Sequence, residues 1–311
     1  MKVSLVTTVL DEADWAPDLI RSILRQSRPP DEWLVVDGGS SDGTVGVFAA
    51  EPSCTLIEAP GNIARGRNAG IARAQGDVIA VIDGGCVAEP RWLERLLVPL
   101  EAGAADIAIG ATAPRIEGAF HAVQWVLLDQ LRAPGLRLGD PAASSRSLAF
   151  LRPAWERCPY PEWLDHSEDV WLLRQWRRLG LRFVRVPEAV VVWRLRATVG
   201  EWMGQHFRYM RGQGRAGLHG SRHGARMLFY AALFALLLGG TSRPGLAAAA
   251  VAVWAAYAAA NLVRLPGATV GSGWRSTFAT LGWLPGMLLA MDGAKVAGYL
   301  EGLLERVAAR A

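Results

Sequence analysis

Residues 77–86 read DVIAVIDGGC, and this stretch decides the predicted fold. The run from Val78 to Ile82 is apolar at every position, which is typical of a strand covered on both faces. The strand ends on Asp83, and ligands of open α/β sheets bind at the carboxyl ends of strands. Asp83 is therefore a candidate ligand-binding acid. Gly84 and Gly85 follow it, although a divalent metal at such a place usually takes a second carboxylate.

Short apolar runs alternate with amphipathic stretches over the first half of the chain. Strands are predicted at 2–8, 32–37, 54–58, 77–83 and 105–110, and helices at 17–27, 64–76 and 90–103. Strands that alternate with helices imply crossover connections. The sequence therefore predicts an α/β fold with a Rossmann-like, mostly parallel sheet and helices on both faces.

The composition excludes several classes of protein. The chain has 311 residues, of which 51% are hydrophobic and 20% charged, so a disordered chain is excluded. The three cysteines lack the spacing of metal ligands and are expected to be reduced core residues. The N-terminus has no long apolar region, so no cleavable signal peptide is expected. The arginines cluster beside apolar segments, which argues against nucleic-acid binding.

After residue 225 the alternation of short strands and helices gives way to three long apolar runs. They cover 227–240, 245–263 and 277–291, and an amphipathic tail follows at 292–310. The second run has nearly the roughly 20 residues needed to span a bilayer. We therefore predict C-terminal transmembrane helices, two or three in number, with buried core helices as the alternative. Basic residues ahead of the first run favour the cytoplasmic side. The tail is expected to lie on the membrane or on the protein.

These patterns predict two domains, a catalytic one at 1–224 and a membrane domain at 225–311. The first includes an interfacial helix at about 198–215. The predicted location is the cell membrane, with a multi-pass anchor and the catalytic domain in the cytoplasm.

Acidic residues follow three of the predicted strands. Glu12 comes a few residues after the first strand, Asp37 ends the second, and Asp83 ends the fourth. Random surface charge would rarely give this arrangement. The loop after Asp37 is rich in glycine, which lets a backbone approach a ligand closely.

Four motifs resemble family 2 glycosyltransferases, which have the GT-A fold. They are VSLVTTVLDE (3–12), LVVDGGSSDGT (34–44), GRNAGIARAQGDVIAVIDGG (66–85) and SEDVW (167–171), and the resemblance covers about residues 2–215. It implies a nucleotide-sugar donor, UDP- or GDP-linked, and an inverting transfer to an acceptor hydroxyl. By this likeness Thr8, Glu12 and Asp37 hold the nucleoside, and Arg67 lies near the base or the diphosphate.

Asp83 matches the first acid of the family's Asp-x-Asp motif, which implies Mg²⁺ or Mn²⁺ at the diphosphate. The second acid falls on Gly85. We favour Asp83 as a metal ligand with the donor phosphates completing the shell. Two alternatives stay open. Backbone N–H groups of Gly84 and Gly85, helped by arginines, can bind the diphosphate without metal, or the site has decayed.

The resemblance makes Asp169 the general base that takes the proton of the acceptor hydroxyl. Asp169 follows Glu168 in the first turn of a predicted helix that Ser167 is expected to cap. Acids also favour helix N-termini for structural reasons, and both interpretations can hold together. His166 is a lesser candidate for the base or for a metal ligand.

Gln205, Arg208 and Tyr209 resemble the Gln-x-x-Arg-Trp motif of polysaccharide synthases, with Tyr in place of Trp. Arg208 would clamp the diphosphate and Tyr209 would stack on the acceptor, unless this segment is an interfacial helix. The predicted acceptor is a lipid or a lipid-linked glycan. Two alternatives are a nucleotidyltransferase, which lacks its usual Gly-rich basic loop here, and an inactive scaffold or binding protein in an envelope-assembly complex.

Overall fold

A computed structural model describes residues 1–129, 144–262 and 274–310. The chain forms two compact units. The first contains residues 1–115 and the described residues up to Arg194, and the second contains residues from Ile116 to 129 and the described residues from Leu195 onwards. The predicted domain division at residue 224 stays a prediction.

A mixed sheet of eight strands is the centre of the first unit among the described residues. The strands are β1 (Val3–Val9), β2 (Glu32–Asp37), β3 (Thr55–Glu58), β4 (Val78–Asp83), β5 (Cys86–Ala88), β6 (Ile107–Arg115), β7 (Leu148–Leu151) and β8 (Phe183–Arg194). Their order is β3-β2-β1-β4-β7-β6-β8-β5. The five strands predicted from the sequence are all present, and β1 and β4 are buried over nearly their whole length, as their apolar runs predict.

The prediction of a mostly parallel sheet is wrong. Parallel pairs join β1 to β2 and β4, β2 to β3, and β6 to β8, but β7 runs antiparallel to β4 and β6, and β5 runs antiparallel to β8. Helices also lie between β6 and β7 and between β7 and β8, so the alternation of strands and helices does not by itself set the strand direction. A two-residue turn joins β4 to β5, and such a short connection cannot make a parallel crossover.

The helices of the first unit include the three predicted from the sequence, with slightly shorter ends. They are α1 (Ala16–Leu24), α2 (Thr44–Ala49), α3 (Ile63–Arg73), α4 (Trp92–Glu101), α6 (Arg152–Arg157) and α7 (Glu168–Arg178), while α5 (Ala119–Asp129) belongs to the second unit.

Glycines let α3 pack unusually close to the sheet. A Cβ at Gly70 would lie 2.7 Å from Val6 Cγ1 and 2.9 Å from Val36 Cγ2, and one at Gly66 would lie 3.3 Å from Thr8 Cγ2. These glycines are four residues apart and therefore share one helix face. The close approach places Arg67, next to Gly66, inside the protein.

The described part of the second unit consists of helices. In addition to α5 they are α8 (Val199–Ala216), α9 (Gly220–Gly239), α10 (Pro244–Leu262) and α11 (Trp274–Ala308). Small residues bring α8 and α11 together, because Cβ atoms at Gly298 and Gly302 would overlap the carbonyl oxygens of Phe207 and Arg211. The amphipathic tail is the C-terminal half of α11, and it packs on the protein through this contact.

A buried carboxylate links three helices of this unit. Asp292 of α11 has no exposed surface and pairs with Arg226 of α9, with 3.0 Å between Oδ1 and Nε. The hydroxyl groups of Tyr230 and Tyr257 donate to Asp292 Oδ2 at 2.9 and 2.8 Å. Lys295, one turn further on α11, is also buried, and its burial lowers its pKa to about 7.

The prediction of C-terminal transmembrane helices is wrong. Across the three described ranges, the structure contains no helix that is long and apolar enough to cross a membrane. The apolar part of α9 begins only after Arg226, and α11 carries charged residues from Asp292 onwards. The predicted multi-pass location with a cytoplasmic catalytic domain depended on these spans and is wrong for the same reason.

The close contact between α8 and α11 gives a stability prediction. Gly302→Ala should lower the melting temperature, because its methyl group meets the Arg211 carbonyl and overpacking costs about 1–3 kcal/mol. Gly293→Ala on the same helix is the control, since a Cβ there meets no atom within 4 Å. It should leave stability unchanged or raise it, because Ala favours a helix. Equal melting temperatures for the two variants would contradict this packing.

Candidate active site

A fully buried arginine joins two carboxylates at the centre of the first unit. Arg67 is 1% exposed. Its Nη2 donates to Asp83 Oδ1 at 2.7 Å, and its Nη1 donates to Glu168 Oε1 at 2.5 Å. The guanidinium also lies over the ring of Tyr160, 5.1 Å from its centroid. The structure thus connects the end of β4 to the start of α7 through one side chain.

The buried charges shift the pKa values of both partners. Burial opposes the charge of Arg67, but Asp83 and Glu168 raise its pKa well above the usual value, so it stays ionised. Burial and the neighbouring charge of Asp169 raise the pKa of Glu168 to about 7, against the opposing effect of Arg67. One guanidinium thus lies near three carboxylates, those of Asp83, Glu168 and Asp169. Glu168 is therefore partly protonated near neutral pH.

Asp169, the predicted base, is held at the first turn of α7. Its Oδ1 accepts from the Val170 N–H at 2.8 Å, and its Oδ2 accepts from the Ser145 N–H at 3.3 Å. Ser145 Oγ is 2.8 Å from the Tyr160 hydroxyl. Ser167 is at the N-cap position but makes no side-chain cap hydrogen bond, so the expected capping is wrong. Its left-handed backbone, with φ of 62°, turns the chain into α7 instead.

Thr8, Asp37 and Asp83 lie side by side across the sheet. In the parallel register Thr8 is level with Asp83, and Val9 is level with Asp37. This places the ends of β2, β1 and β4 at one edge, as the sequence predicts. The Thr8 hydroxyl is buried and has no hydrogen-bond partner within the described part of the chain, so it is a candidate ligand group.

Glu12 reaches the turn after β4. A Cβ at Gly85 would lie 3.2 Å from Glu12 Oε1, and one at Gly84 would lie 3.2 Å from Glu12 Cγ. The Gly84 N–H donates to the Thr8 carbonyl at 3.0 Å. The two glycines therefore make room for the Glu12 side chain beside Asp83.

Asp37 organises its own loop in this structure. Its carboxylate is buried and accepts from the Gly39 and Ser40 N–H groups at 2.9 and 3.0 Å and from Ser40 Oγ at 2.5 Å. Gly39 has φ of 106°, a value that favours glycine. Its predicted contact with the nucleoside stays a prediction.

Two residues missed by the sequence analysis complete the site. Arg146 stacks on Trp193, 4.0 Å from the ring centroid, and its Nε is 3.8 Å from Asp83 Oδ2. Arg146 precedes β7, which runs antiparallel to β4, so this segment lies at the carboxyl end of β4. Trp193 is level with Cys86 in the pair of β5 and β8. Arg146 and Trp193 reach Asp83 only because β7 and β5 are paired antiparallel. A parallel sheet, as predicted from the sequence, would not place them there.

The residues at Asp83 do not fit a divalent cation. The described residues contain no group of three or more His, Cys, Asp or Glu side chains suited to a metal. Asp83 already faces two guanidinium groups, and residue 85 has no side chain. Burial raises the pKa of the Cys86 thiol, and sulfur is a poor ligand for hard cations such as Mg²⁺.

Gln205, Arg208 and Tyr209 lie on α8 in the second unit. Gln205 is buried, and its Nε2 donates to the Tyr209 hydroxyl at 3.0 Å, while Arg208 is exposed. A helix is present at Val199–Ala216, and the Thr198 side chain caps it by accepting from the Glu201 N–H; its predicted interfacial position stays a prediction. The roles of these residues at a diphosphate or acceptor stay predictions, as does that of His166.

The mixed sheet with acids at the carboxyl ends of β1, β2 and β4 defines a GT-A-like α/β protein. Residues 4–136 match the family described as "Glycosyl transferase family 2". This match covers less than half of the chain and is to the family that the four sequence motifs resemble.

Two curated proteins are similar to this chain in sequence. The chain is 29% identical over 211 residues to "Succinoglycan biosynthesis protein ExoO" of Rhizobium meliloti (strain 1021), covering 62% of this chain and 61% of that protein. It is 30% identical over 117 residues to "Glycosyltransferase AglE" of Haloferax volcanii, covering 35% of this chain and 38% of that protein. The chain thus spans less than two thirds of the length of either relative.

A solved structure shares the fold. It is "Mannosyltransferase PcManGT from Pyrobaculum calidifontis in complex with GDP-Man and Mn2+", with a TM-score of 0.58 and 18% identity over 98% of this chain and 88% of that chain. At this identity the likeness shows the fold alone.

Removing Arg67 tests the central ion pairs. Arg67→Met should destabilise the protein by about 3–5 kcal/mol, because it leaves the Glu168 carboxylate buried and unpaired. Arg73→Met is the control, since Arg73 is exposed on the same helix and should change stability little. Urea unfolding of both variants measures the difference. A similar small loss in both would contradict the central role of Arg67.

The raised pKa of Glu168 predicts a pH dependence of stability. Between its usual pKa of 4.5 and about 7, the folded state binds more protons at this residue than the unfolded state does. Its contribution to the free energy of unfolding therefore falls as the pH rises through this window. Glu168→Gln should lose less stability than the wild type between about pH 5 and about pH 7.5. Exposed Glu162→Gln is the control, and an unchanged slope in Glu168→Gln would refute the shift.

Proposed function

We propose that this protein is an inverting glycosyltransferase that moves a sugar from a nucleotide-diphosphate sugar to an acceptor hydroxyl. The observation that carries the proposal is the arrangement around Arg67. One buried side chain holds Asp83, at the donor edge of the sheet, and Glu168, whose neighbour Asp169 is the expected base. The match of residues 4–136 to a glycosyltransferase family supports the same conclusion.

Each residue has a defined part in the proposed reaction. Asp169 takes the proton of the acceptor hydroxyl, whose oxygen attacks the anomeric carbon. The bond from that carbon to the diphosphate oxygen breaks, and the nucleoside diphosphate leaves with the electron pair. Thr8, Glu12, Asp37 and Asp83 bind the donor.

Arg67 acts through Asp83 and Glu168 in this scheme. Both of its terminal nitrogens are engaged by these carboxylates, and the side chain is buried. It is therefore a positioning residue for the donor site and for the general base Asp169.

The finer features of the proposal are the donor and the acceptor. GDP- and UDP-linked sugars are the expected donors, and the solved mannosyltransferase with GDP-Man supports the first. A lipid or lipid-linked glycan is the expected acceptor. Support comes from the name of the Rhizobium relative, a succinoglycan biosynthesis protein, and from exposed apolar side chains on α9 and α10 in the second unit. They include Leu228, Phe234, Leu238 and Val251.

Replacing the base tests the proposed reaction. Asp169→Asn should bind UDP or GDP as the wild type does but lower sugar transfer by about 10²–10⁴-fold, because no carboxylate takes the proton. Release of nucleotide from a panel of UDP- and GDP-sugars, with lipid-linked glycans as acceptors, measures the rate. Asp165→Asn, in the exposed loop before α7, is the control and should keep its activity.

Normal turnover in Asp169→Asn would remove Asp169 as the base. If the wild type binds nucleotide but transfers no sugar from any donor, the protein acts as a binding or scaffold protein and the enzymatic proposal fails.

A further inference from the structure

The turn after β4 lacks the side chain that would complete a metal site. Residue 85 is glycine, and the Glu12 carboxylate occupies the neighbouring space, 3.2 Å from where a Cβ would lie. A side chain at residue 85 would therefore crowd the Glu12 carboxylate. The turn is shaped around a glycine at this position.

The charge around Asp83 also opposes a cation. Its Oδ1 is 2.7 Å from Arg67 Nη2, and its Oδ2 is 3.8 Å from Arg146 Nε. A divalent cation bound to this carboxylate would lie close to both positive groups and would be repelled by them. The arginines themselves neutralise Asp83 in place of a metal.

Arg146 is held in an orientation suited to a phosphate. Its guanidinium stacks on Trp193 at 4.0 Å, and its Nη1 is 3.2 Å from Ser144 Oγ. The side chain is 19% exposed, so part of it reaches solvent next to Asp83. Stacking fixes the plane of the guanidinium, and such a planar fork of donors matches phosphate oxygens.

We propose that Arg146 binds the diphosphate of the donor and that this binding needs no divalent metal. The inference rests on the proposed function, because it concerns the nucleoside diphosphate that leaves in the proposed reaction and the group that neutralises its charge. As the bond between the anomeric carbon and the diphosphate oxygen breaks, negative charge grows on the diphosphate. The guanidinium of Arg146 stabilises that charge. In this respect the chain departs from the Asp-x-Asp arrangement that its motifs resemble.

Calorimetric binding of UDP, GDP and inorganic pyrophosphate to the full chain tests the proposal. The wild type should bind a nucleoside diphosphate equally well with EDTA and with Mn²⁺. Arg146→Met, which keeps an unbranched side chain over Trp193, should weaken binding more than tenfold, and Arg146→Lys should restore part of the affinity. Arg185→Met is the matched control, since Arg185 is exposed on β8 and should bind as the wild type does.

The outcomes separate this inference from the proposed function. Binding that requires Mn²⁺ and is unchanged in Arg146→Met overturns the inference and leaves the proposed reaction in place. Metal-independent binding that Arg146→Met does not weaken overturns the role of Arg146. No binding of either nucleotide under any condition overturns both proposals. The comparison of EDTA with Mn²⁺ uses the wild type, so it does not depend on the folding of a variant.

Discussion

The buried guanidinium of Arg67 is the interaction on which the rest of the site depends. Burying an isolated charge is costly, so a buried arginine requires carboxylates of fixed position around it. Asp83 and Glu168 meet this need from two parts of the chain that are far apart in sequence. Holding one charge therefore also fixes the end of β4 against the start of α7. The donor edge and the expected base are positioned by the same contact.

Close packing of α3 makes this arrangement possible. Gly66 and Gly70 let the helix approach β1 and β2 more closely than a side chain would allow, and Arg67 enters the interior beside them. A helix held further out would leave the arginine in water, where ion pairs contribute little. The glycines of the GRNAG segment thus have a packing role that supports the electrostatic one.

The antiparallel strands supply the second half of the site. Because β7 runs against β4, the residues before β7 lie where β4 ends, and Ser145 and Arg146 reach Asp169 and Asp83. Because β8 pairs with β5, Trp193 lies beside the turn and supports Arg146. Charge that a metal would otherwise supply can then come from the protein. In the proposed reaction, Arg146 supplies the charge that a metal would otherwise supply, and residue 85 carries no acid.

The amino-acid sequence alone was enough to predict five strands, β1 to β4 and β6, and the position of Thr8, Asp37 and Asp83 at one edge of the sheet. These features follow from local hydrophobic periodicity and from short motifs, and both can be identified within a single segment of the chain. Only the tertiary structure decided that Arg67 is buried between two acids, that Arg146 lies at Asp83, and that the sheet is mixed. It also decided that the apolar runs after residue 225 form helices that pair through Asp292 and Arg226. The physical reason is that charge pairing and strand direction depend on which distant segments of the chain come into contact. The composition and spacing of residues within one segment do not specify those contacts.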